Sequence, residues 1–279
     1  MRRNADGKGL CPSAKPNGDA FYRRVLQILD QQQIPFLVGG AYMLRCCSEI
    51  HRDTKDLDVF VRRRDFNRAL DVLASAGYQT EISFSHWLGK VFSGNFFVDL
   101  IFSSGNGICR VDDIWFEHAL EGEVFGRPVK FCPPEETIWS KSFVMERERY
   151  DGADIAHLLR CCAPIMDWQR LLQRFGTHWR VLLSHLILFG FVYPGERSLI
   201  PDWMIEELSR RLKVDRGGDE GAGLCQGTLL SREQYLDDIE RWGYNDARLQ
   251  PTTGAMTPEE VARWTAAAAD QDPMTGHDR

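Results

Sequence analysis

The sequence predicts an α+β protein in which a mixed central sheet is flanked by helices and followed by a helical C-terminal region. Three observations lead there. Amphipathic helical segments alternate with short apolar, β-branched and aromatic runs as far as about residue 131. Two glycine-centred turns, Ser93-Gly94-Asn95 and Gly126-Arg127, each separate a pair of such runs and read as hairpins. Beyond Pro133-Pro134 the periodicity is helical almost throughout.

In chain order, residues 1 to 18 lack periodicity and are rich in Gly, Pro, Asn and Lys, the composition of a mobile tail. Asp19 is placed to cap a helix through about Gln31, in which Phe21, Val25, Leu26 and Leu29 recur at helical spacing. Ile34 to Val38 forms a first strand, with Pro35 at its start where a missing amide donor is tolerated. Gly39-Gly40 ends it, and Ala41 to Cys47 follows as a short helix. A polar loop containing Arg52, Asp53, Thr54 and Lys55 leads into a second strand, Asp56 to Phe60. Asp65 caps a helix to about Ala76, with Phe66, Ala69, Leu70, Val72 and Leu73 on one face and Gly77 as its C-terminal stop. Strands follow at Tyr78 to Phe84, Leu88 to Phe92 and Phe96 to Phe102, then a hairpin at Glu123 to Phe125 and Pro128 to Phe131 expected outside the core sheet. Helices are expected at about Glu135 to Glu148, Asp151 to Cys161, Asp167 to Phe175, Thr177 to Phe189 and Asp202 to Arg211. The run from Arg216 to Gly227 reads as a flexible linker, and Glu233 to Trp242 and Pro258 to Ala269 as short helices. Trp242 and Trp264 on those last helices point to docking onto another surface.

The chemistry concentrates in residues 34 to 60. In an extended strand, residues two apart share a face, so Asp56 and Asp58 project side by side while Leu57 and Val59 enter the core. Adjacent carboxylates repel unless a proton or cation lies between them, and a hard divalent ion is the natural occupant. A third acid, Asp99, sits among six apolar neighbours in Phe96 to Phe102, where an unpaired charge is costly. Gly39-Gly40 permits close backbone approach to a ligand, and the helix start after it favours an anion such as a triphosphate; a tight strand-to-helix turn would account for the glycines equally. Arg52 and Lys55 are either phosphate contacts or solvated surface charges.

Gly39-Gly40, Arg52-x-Thr54-Lys55-Asp56-Leu57-Asp58 and Val98-Asp99-Leu100, in that order, resemble the nucleotidyltransferase superfamily that shares the DNA polymerase beta type core. The pattern is most similar to small bacterial nucleotidyltransferases of the abortive-infection toxin and aminoglycoside nucleotidyltransferase type. Lys141 and Arg149-Tyr150-Asp151-Gly152-Ala153-Asp154 extend the likeness, which covers about residues 20 to 160. The resemblance implies a nucleotidyltransferase fold and transfer of a nucleoside monophosphate from a nucleoside triphosphate to an acceptor, with release of pyrophosphate. It implies two Mg²⁺ or Mn²⁺ ions held by Asp56, Asp58 and Asp99, and nucleotide contacts from Gly39, Gly40, Arg52, Lys55, Lys141 and Asp154. ATP is one candidate donor, and the acceptor is left open between a small molecule, tRNA and protein. A nucleotide- or partner-binding protein that keeps the fold without catalysis is the other reading. The implied division is a tail at 1–18, a nucleotidyltransferase domain at 19–134, a helical domain at 135–213, and a linker with short, partly disordered helices at 214–279.

Composition narrows the classes. With 34 basic against 40 acidic residues the net charge is −6, which argues against a broad electrostatic grip on nucleic acid. Eight cysteines include the pairs Cys46-Cys47 and Cys161-Cys162 without a C-x-x-C signature, and they read as reduced thiols of a cytoplasmic protein. His178 and His185 read as packed or surface residues rather than metal ligands. No signal-peptide pattern opens the sequence, and the apolar stretch Val181 to Val192 is too short to span a bilayer.

Overall fold

The structure is a computed structural model that describes residues 16–48, 50, 54, 56–215 and 223–269. The expected tail up to residue 15, Arg52, Lys55, residues 216–222 of the expected linker and the end beyond residue 269 lie outside the described residues.

Along the chain the elements are α1 (Pro16–Gln31), β1 (Leu37–Val38), α2 (Gly40–Ser48), β2 (Asp56–Phe60), α3 (Arg63–Ser75), β3 (Gln79–Phe84), β4 (Leu88–Ser93) and β5 (Phe96–Ile101). They continue with α4 (Asp113–Glu117), β6 (Leu120–Val124), β7 (Arg127–Phe131), α5 (Pro134–Lys141), α6 (Gly152–Cys162), α7 (Trp168–Phe175), α8 (Trp179–Val192) and α9 (Asp202–Val214). The last are β8 (Leu224–Cys225), α10 (Leu236–Glu240), β9 (Asn245–Asp246) and α11 (Pro258–Ala269).

Seven strands form one sheet in the order β3-β4-β5-β2-β1-β7-β6. It is mixed: β2 runs parallel to β5 and β1 parallel to β7, while β1/β2, β3/β4, β4/β5 and β6/β7 are antiparallel. Period-two alternation sets its two faces. Leu57, Val59, Val98 and Leu100 are wholly buried on the face that α1 and α3 cover, each contributing roughly 1.5–3 kcal/mol. Asp56, Asp58, Phe60 and Asp99 take the other face, where the side chains are only partly covered.

Turn chemistry fixes the hairpins. Ser93 pairs with Phe96 around Gly94-Asn95, with Gly94 at φ +59°, and Val124 pairs with Arg127 around Phe125-Gly126, both at positive φ. Gly77, at φ +94°, closes α3 with its amide on the Ala74 carbonyl and Tyr78 on that of Leu73.

Several expectations are corrected. The β6/β7 hairpin lies inside the main sheet, because β7 pairs with β1. Asp19 and Asp65 are not caps: α1 begins at Pro16 and α3 at Arg63, so both acids lie in the first turn, where they complement the helix dipole. The helix expected to reach Glu148 ends at Lys141, and residues 144–151 turn back in a tight hairpin with a Met145–Tyr150 bridge. Leu224-Cys225, expected as linker, pairs in parallel with Asn245-Asp246.

Helices α5, α6, α7 and α8 pack together beyond the sheet. Glu135 and Glu136 of α5 are buried, and Arg170 and Arg174 of α7 reach them, with Arg174 also clasping Asp112 at 2.7 Å. Taken with the 3₁₀ turn at Gly176–His178, α7 and α8 make a 25-residue run, Trp168–Val192, in which an 18-residue window has mean hydropathy 1.2, long and apolar enough by length and composition alone to cross a bilayer. Here its inner side chains, Leu171, Leu172, Phe175, Leu182, Leu186 and Phe189, complete the helical core.

Candidate active site

Strand register brings the acids together. Asp58 on β2 lies directly opposite Asp99 on β5, and Asp56 lies opposite Phe97. Adjacent strands are spaced about 4.8 Å, and residues two apart on one strand about 6.6 Å, so three carboxylates share one small patch of the sheet face. Burial, followed by the charges of Asp56 and Asp99, pushes the Asp58 carboxyl up to about 7, while Lys141 and Arg149 pull it back. Burial also raises Asp99, and the hydrogen bond and charge of Lys90 oppose that rise.

The backbone of Gly39 and Gly40 closes over Asp58. The Gly39 amide donates to the Asp58 carbonyl at 2.9 Å, and Met43 donates to the Gly39 carbonyl at 3.1 Å, which starts α2 at this point. Gly40 sits at φ +54°, and a Cβ there would collide with the Asp58 carboxylate. A Cβ on Gly39 would strike the Phe60 ring. Both glycines are therefore required by close approach to the acid strand, in addition to the turn they make. α2 starts against the Asp58 carboxylate, and the first amides of a helix have no partner within it.

Lys141, the last residue of α5, bridges Asp151 at 2.8 Å and Asp154 at 2.9 Å. Arg149 adds a second cation on Asp151 at 3.1 Å. Burial would raise Asp151, yet Lys141 and Arg149 together hold it below the ordinary carboxylate range. Asp154 is buried on α6, which packs against α2, and with His157 it lines a small cleft with Ala41, Leu44, Ser48 and Ile50 of the α2 side. Both Asp151 and Asp154 are thus ion-paired, and the charges of Lys141 and Arg149 also act on Asp58.

The structure therefore gathers Asp56, Asp58, Asp99, Gly39, Gly40 and Lys141, with Asp154 behind Lys141; Arg52 and Lys55 lie outside the described residues. Sequence reasoning missed Lys90. It sits opposite Asp99 across β4/β5, pairs with it at 2.7 Å and lies 4.2 Å from the Phe97 ring centre. Its position in the strand pattern carried a signal, because the β4/β5 hairpin register is set by the Gly94-Asn95 turn. Thr54 was also missed, and its hydroxyl bonds the Asp56 carboxylate. Tyr22 approaches from α1, where burial with the charges of Asp56 and Asp19 pushes its phenol up to about 12.

Among the described residues no three His, Cys, Asp or Glu side chains are drawn into a ready metal cage. Asp99 is turned onto Lys90 and Asp56 onto Thr54. The donor set still suits a hard cation, because all three groups are carboxylates on one face of the sheet.

No curated protein matches the sequence. Among solved structures, the antibiotic-resistance factor ANT(2'')-Ia is 15% identical, with 62% of this chain and 98% of that one aligned at a TM-score of 0.44. An antigenic nucleotidyltransferase-like protein from Paracoccidioides brasiliensis is 17% identical over 66% of this chain and 92% of its own, at a TM-score of 0.41. A lincosamide antibiotic adenylyltransferase in its lincomycin-bound form is 14% identical over 52% and 96%, at 0.38. A family model described as "Uncharacterised nucleotidyltransferase" matches residues 20–186, which takes in every element that builds the acid cluster. By that match the protein belongs to the uncharacterised nucleotidyltransferase family.

Proposed function

We propose that the protein transfers a nucleoside monophosphate from a nucleoside triphosphate to an acceptor, releasing pyrophosphate. The observation that carries this reading is the in-register pair Asp58 and Asp99, with Asp56 on the same face, set against the start of α2 at Gly40. Asp56, Asp58 and Asp99 would hold divalent metal, Mg²⁺ or Mn²⁺, which when bound neutralises charge on the reacting phosphate oxygens.

The chain's own groups have separable roles. The Gly39-Gly40 turn lets a polyphosphate approach the backbone, and the first amides of α2 point donors at it. Lys141 and Arg149, held in place by Asp151 and Asp154, would supply positive charge to the β- and γ-phosphates that depart as pyrophosphate. Asp99 is placed to accept the proton of the attacking acceptor hydroxyl, and its contact with Lys90 must loosen for it to do so. Asp58 is the member that lies against the start of α2, its carboxylate filling the space where a side chain at Gly40 would stand.

The test is incubation of the protein with each α-labelled nucleoside triphosphate, Mg²⁺ or Mn²⁺, and a cell extract, followed by identification of the labelled product. Asp58→Ala should lose turnover by at least about a thousandfold while triphosphate-independent thermal unfolding changes little. Label on a small molecule, on tRNA or on protein distinguishes the acceptor classes. Binding of triphosphate without pyrophosphate release by the wild type would favour the non-catalytic alternative, and equal turnover in Asp58→Ala would remove that residue from the site.

A further inference from the structure

The hairpin at residues 144–151 carries Arg149 to Asp151, the carboxylate that Lys141 also holds. Its internal bonds are the Met145–Tyr150 bridge, the Glu146 amide on the Arg149 carbonyl at 2.8 Å, the Asp151 amide on the Val144 carbonyl at 3.2 Å, and the Arg149 guanidinium on the Asp151 carboxylate at 3.1 Å. Tyr150 is half exposed, and Arg147 and Glu148 at the tip are exposed. An isolated hairpin this short is marginal in water. Arg149 nevertheless holds the Asp151 carboxylate at 3.1 Å, which Lys141 also holds at 2.8 Å, and its charge acts on Asp58 and Asp99.

The missing support comes from the far end of the chain. The Leu230 carbonyl accepts from the Met145 amide at 3.1 Å, and Gln234 donates to the Met145 carbonyl at 3.2 Å. Glu146 receives the Ser231 hydroxyl at 2.6 Å, the Arg232 amide at 3.1 Å and the Arg232 Nε at 2.8 Å. Both partners of this ion pair are largely buried, at 10% and 13% exposure for Arg232 and Glu146, where a charge-assisted, multiply bonded contact holds geometry well.

Arg232 is itself fixed. Its guanidinium lies 4.7 Å from the Trp264 ring, and Trp264 of α11 packs edge-on against Phe84 and Trp87 and over Gly105. The segment has its own internal frame, in which buried Arg248 clasps Asp246 of β9 and donates to Thr265 of α11 at 3.0 Å. Asn106 donates to the Leu229 carbonyl at 2.8 Å and ties the frame to the loop after β5.

We propose that residues 223–269 form a strap that fixes the Arg149 hairpin, with Arg232 acting as a positioning residue through Glu146. This rests on the nucleotidyl-transfer reading for its functional half: the strap sets where a triphosphate meets Arg149, so it governs nucleotide affinity more than the chemical step.

The experiment uses the full chain with Arg232→Ala, Glu146→Gln, Arg149→Ala and the double variant Arg149→Ala/Arg232→Ala. Hydrogen exchange at the Met145, Glu146 and Asp151 amides should accelerate by at least about tenfold in Arg232→Ala and in Glu146→Gln. The KM for triphosphate should rise about tenfold with kcat changed much less, and the double variant should be no worse than Arg149→Ala alone. Arg232→Lys, which keeps the charge opposite Glu146, should recover part of the KM. Unchanged exchange in both single variants overturns the strap. Faster exchange with an unchanged KM, or additive losses in the double variant, overturns the positioning role. A wild type that transfers no nucleotide sinks the nucleotidyl-transfer reading instead, and hydrogen exchange decides the strap separately.

Discussion

Gly40→Ala isolates the contact between the start of α2 and the acid strand. Alanine at the observed φ of +54° carries left-handed backbone strain of about 1–2 kcal/mol. Gly94 has nearly the same conformation, φ +59°, with no atom within 4 Å of where a Cβ would stand, so Gly94→Ala carries the strain alone. For a chain of this size that strain should lower the Tm by roughly 2–8 °C. Gly40→Ala has the same strain plus a Cβ in collision with the Asp58 carboxylate. Asp58 is pinned through its own backbone, which accepts from Gly39 at 2.9 Å and lies in the ladder with β5. Either its side chain rotates or α2 withdraws, by on the order of 1 Å to restore van der Waals contact. Misplacement on that scale costs about a hundredfold in turnover. Thermal unfolding and pyrophosphate release, measured on both variants beside the wild type, make the comparison. Gly94→Ala should lose stability but keep activity within a few-fold, and Gly40→Ala should lose more stability and nearly all activity. Equal behaviour of the two variants in both assays would refute the placement of Gly40 against Asp58.

Lys141→Met should destabilise the protein at neutral pH by about 3 kcal/mol, the lower end for a broken buried pair because Arg149 still reaches Asp151. Asp151 is held below its ordinary value, so in the wild type its contribution is complete above about pH 4 and is lost as pH falls through the lower native value. The gap between wild type and Lys141→Met in urea midpoint should therefore hold from pH 7 down to about pH 5 and narrow below about pH 4, and a gap that stays constant below pH 4 would contradict the bridge. Burial lowers His185, whose Nε2 lies 3.0 Å from the Ser142 carbonyl. The unfolded chain then takes up the proton first, so this group's contribution is complete above about pH 6.5 and declines below it. His185→Gln should flatten the stability slope between pH 7.5 and 5.5 in urea titrations, and an unaltered slope would count against a neutral buried ring.

Much of the site was legible because strand periodicity is a local property. The alternation of Asp56 and Asp58 with Leu57 and Val59 reports which side faces the core without knowledge of any neighbour, and the burial pattern follows it. The Gly94 and Gly126 turns and the Gly77 stop were legible for the same reason, since each depends on the φ of one residue. Recognition of the family rested on the order of these local signals, and the matched span of 20–186 contains them.

What the sequence by itself determined is the set of faces: which side chains enter the core, where the chain turns, and that Asp56, Asp58 and Asp99 lie on partly covered strand positions. Only the tertiary structure decided who meets whom. It set Asp99 against Lys90 and opposite Asp58, ended α5 at Lys141, and sent Arg232 back across more than eighty residues to Glu146. Helix propensity would have carried α5 on to Glu148, but a carboxylate with partners waiting elsewhere in the fold gains more from a turned backbone than from another helical turn. Periodicity is written in neighbouring residues, whereas pairing depends on distances that exist only once the chain has closed on itself.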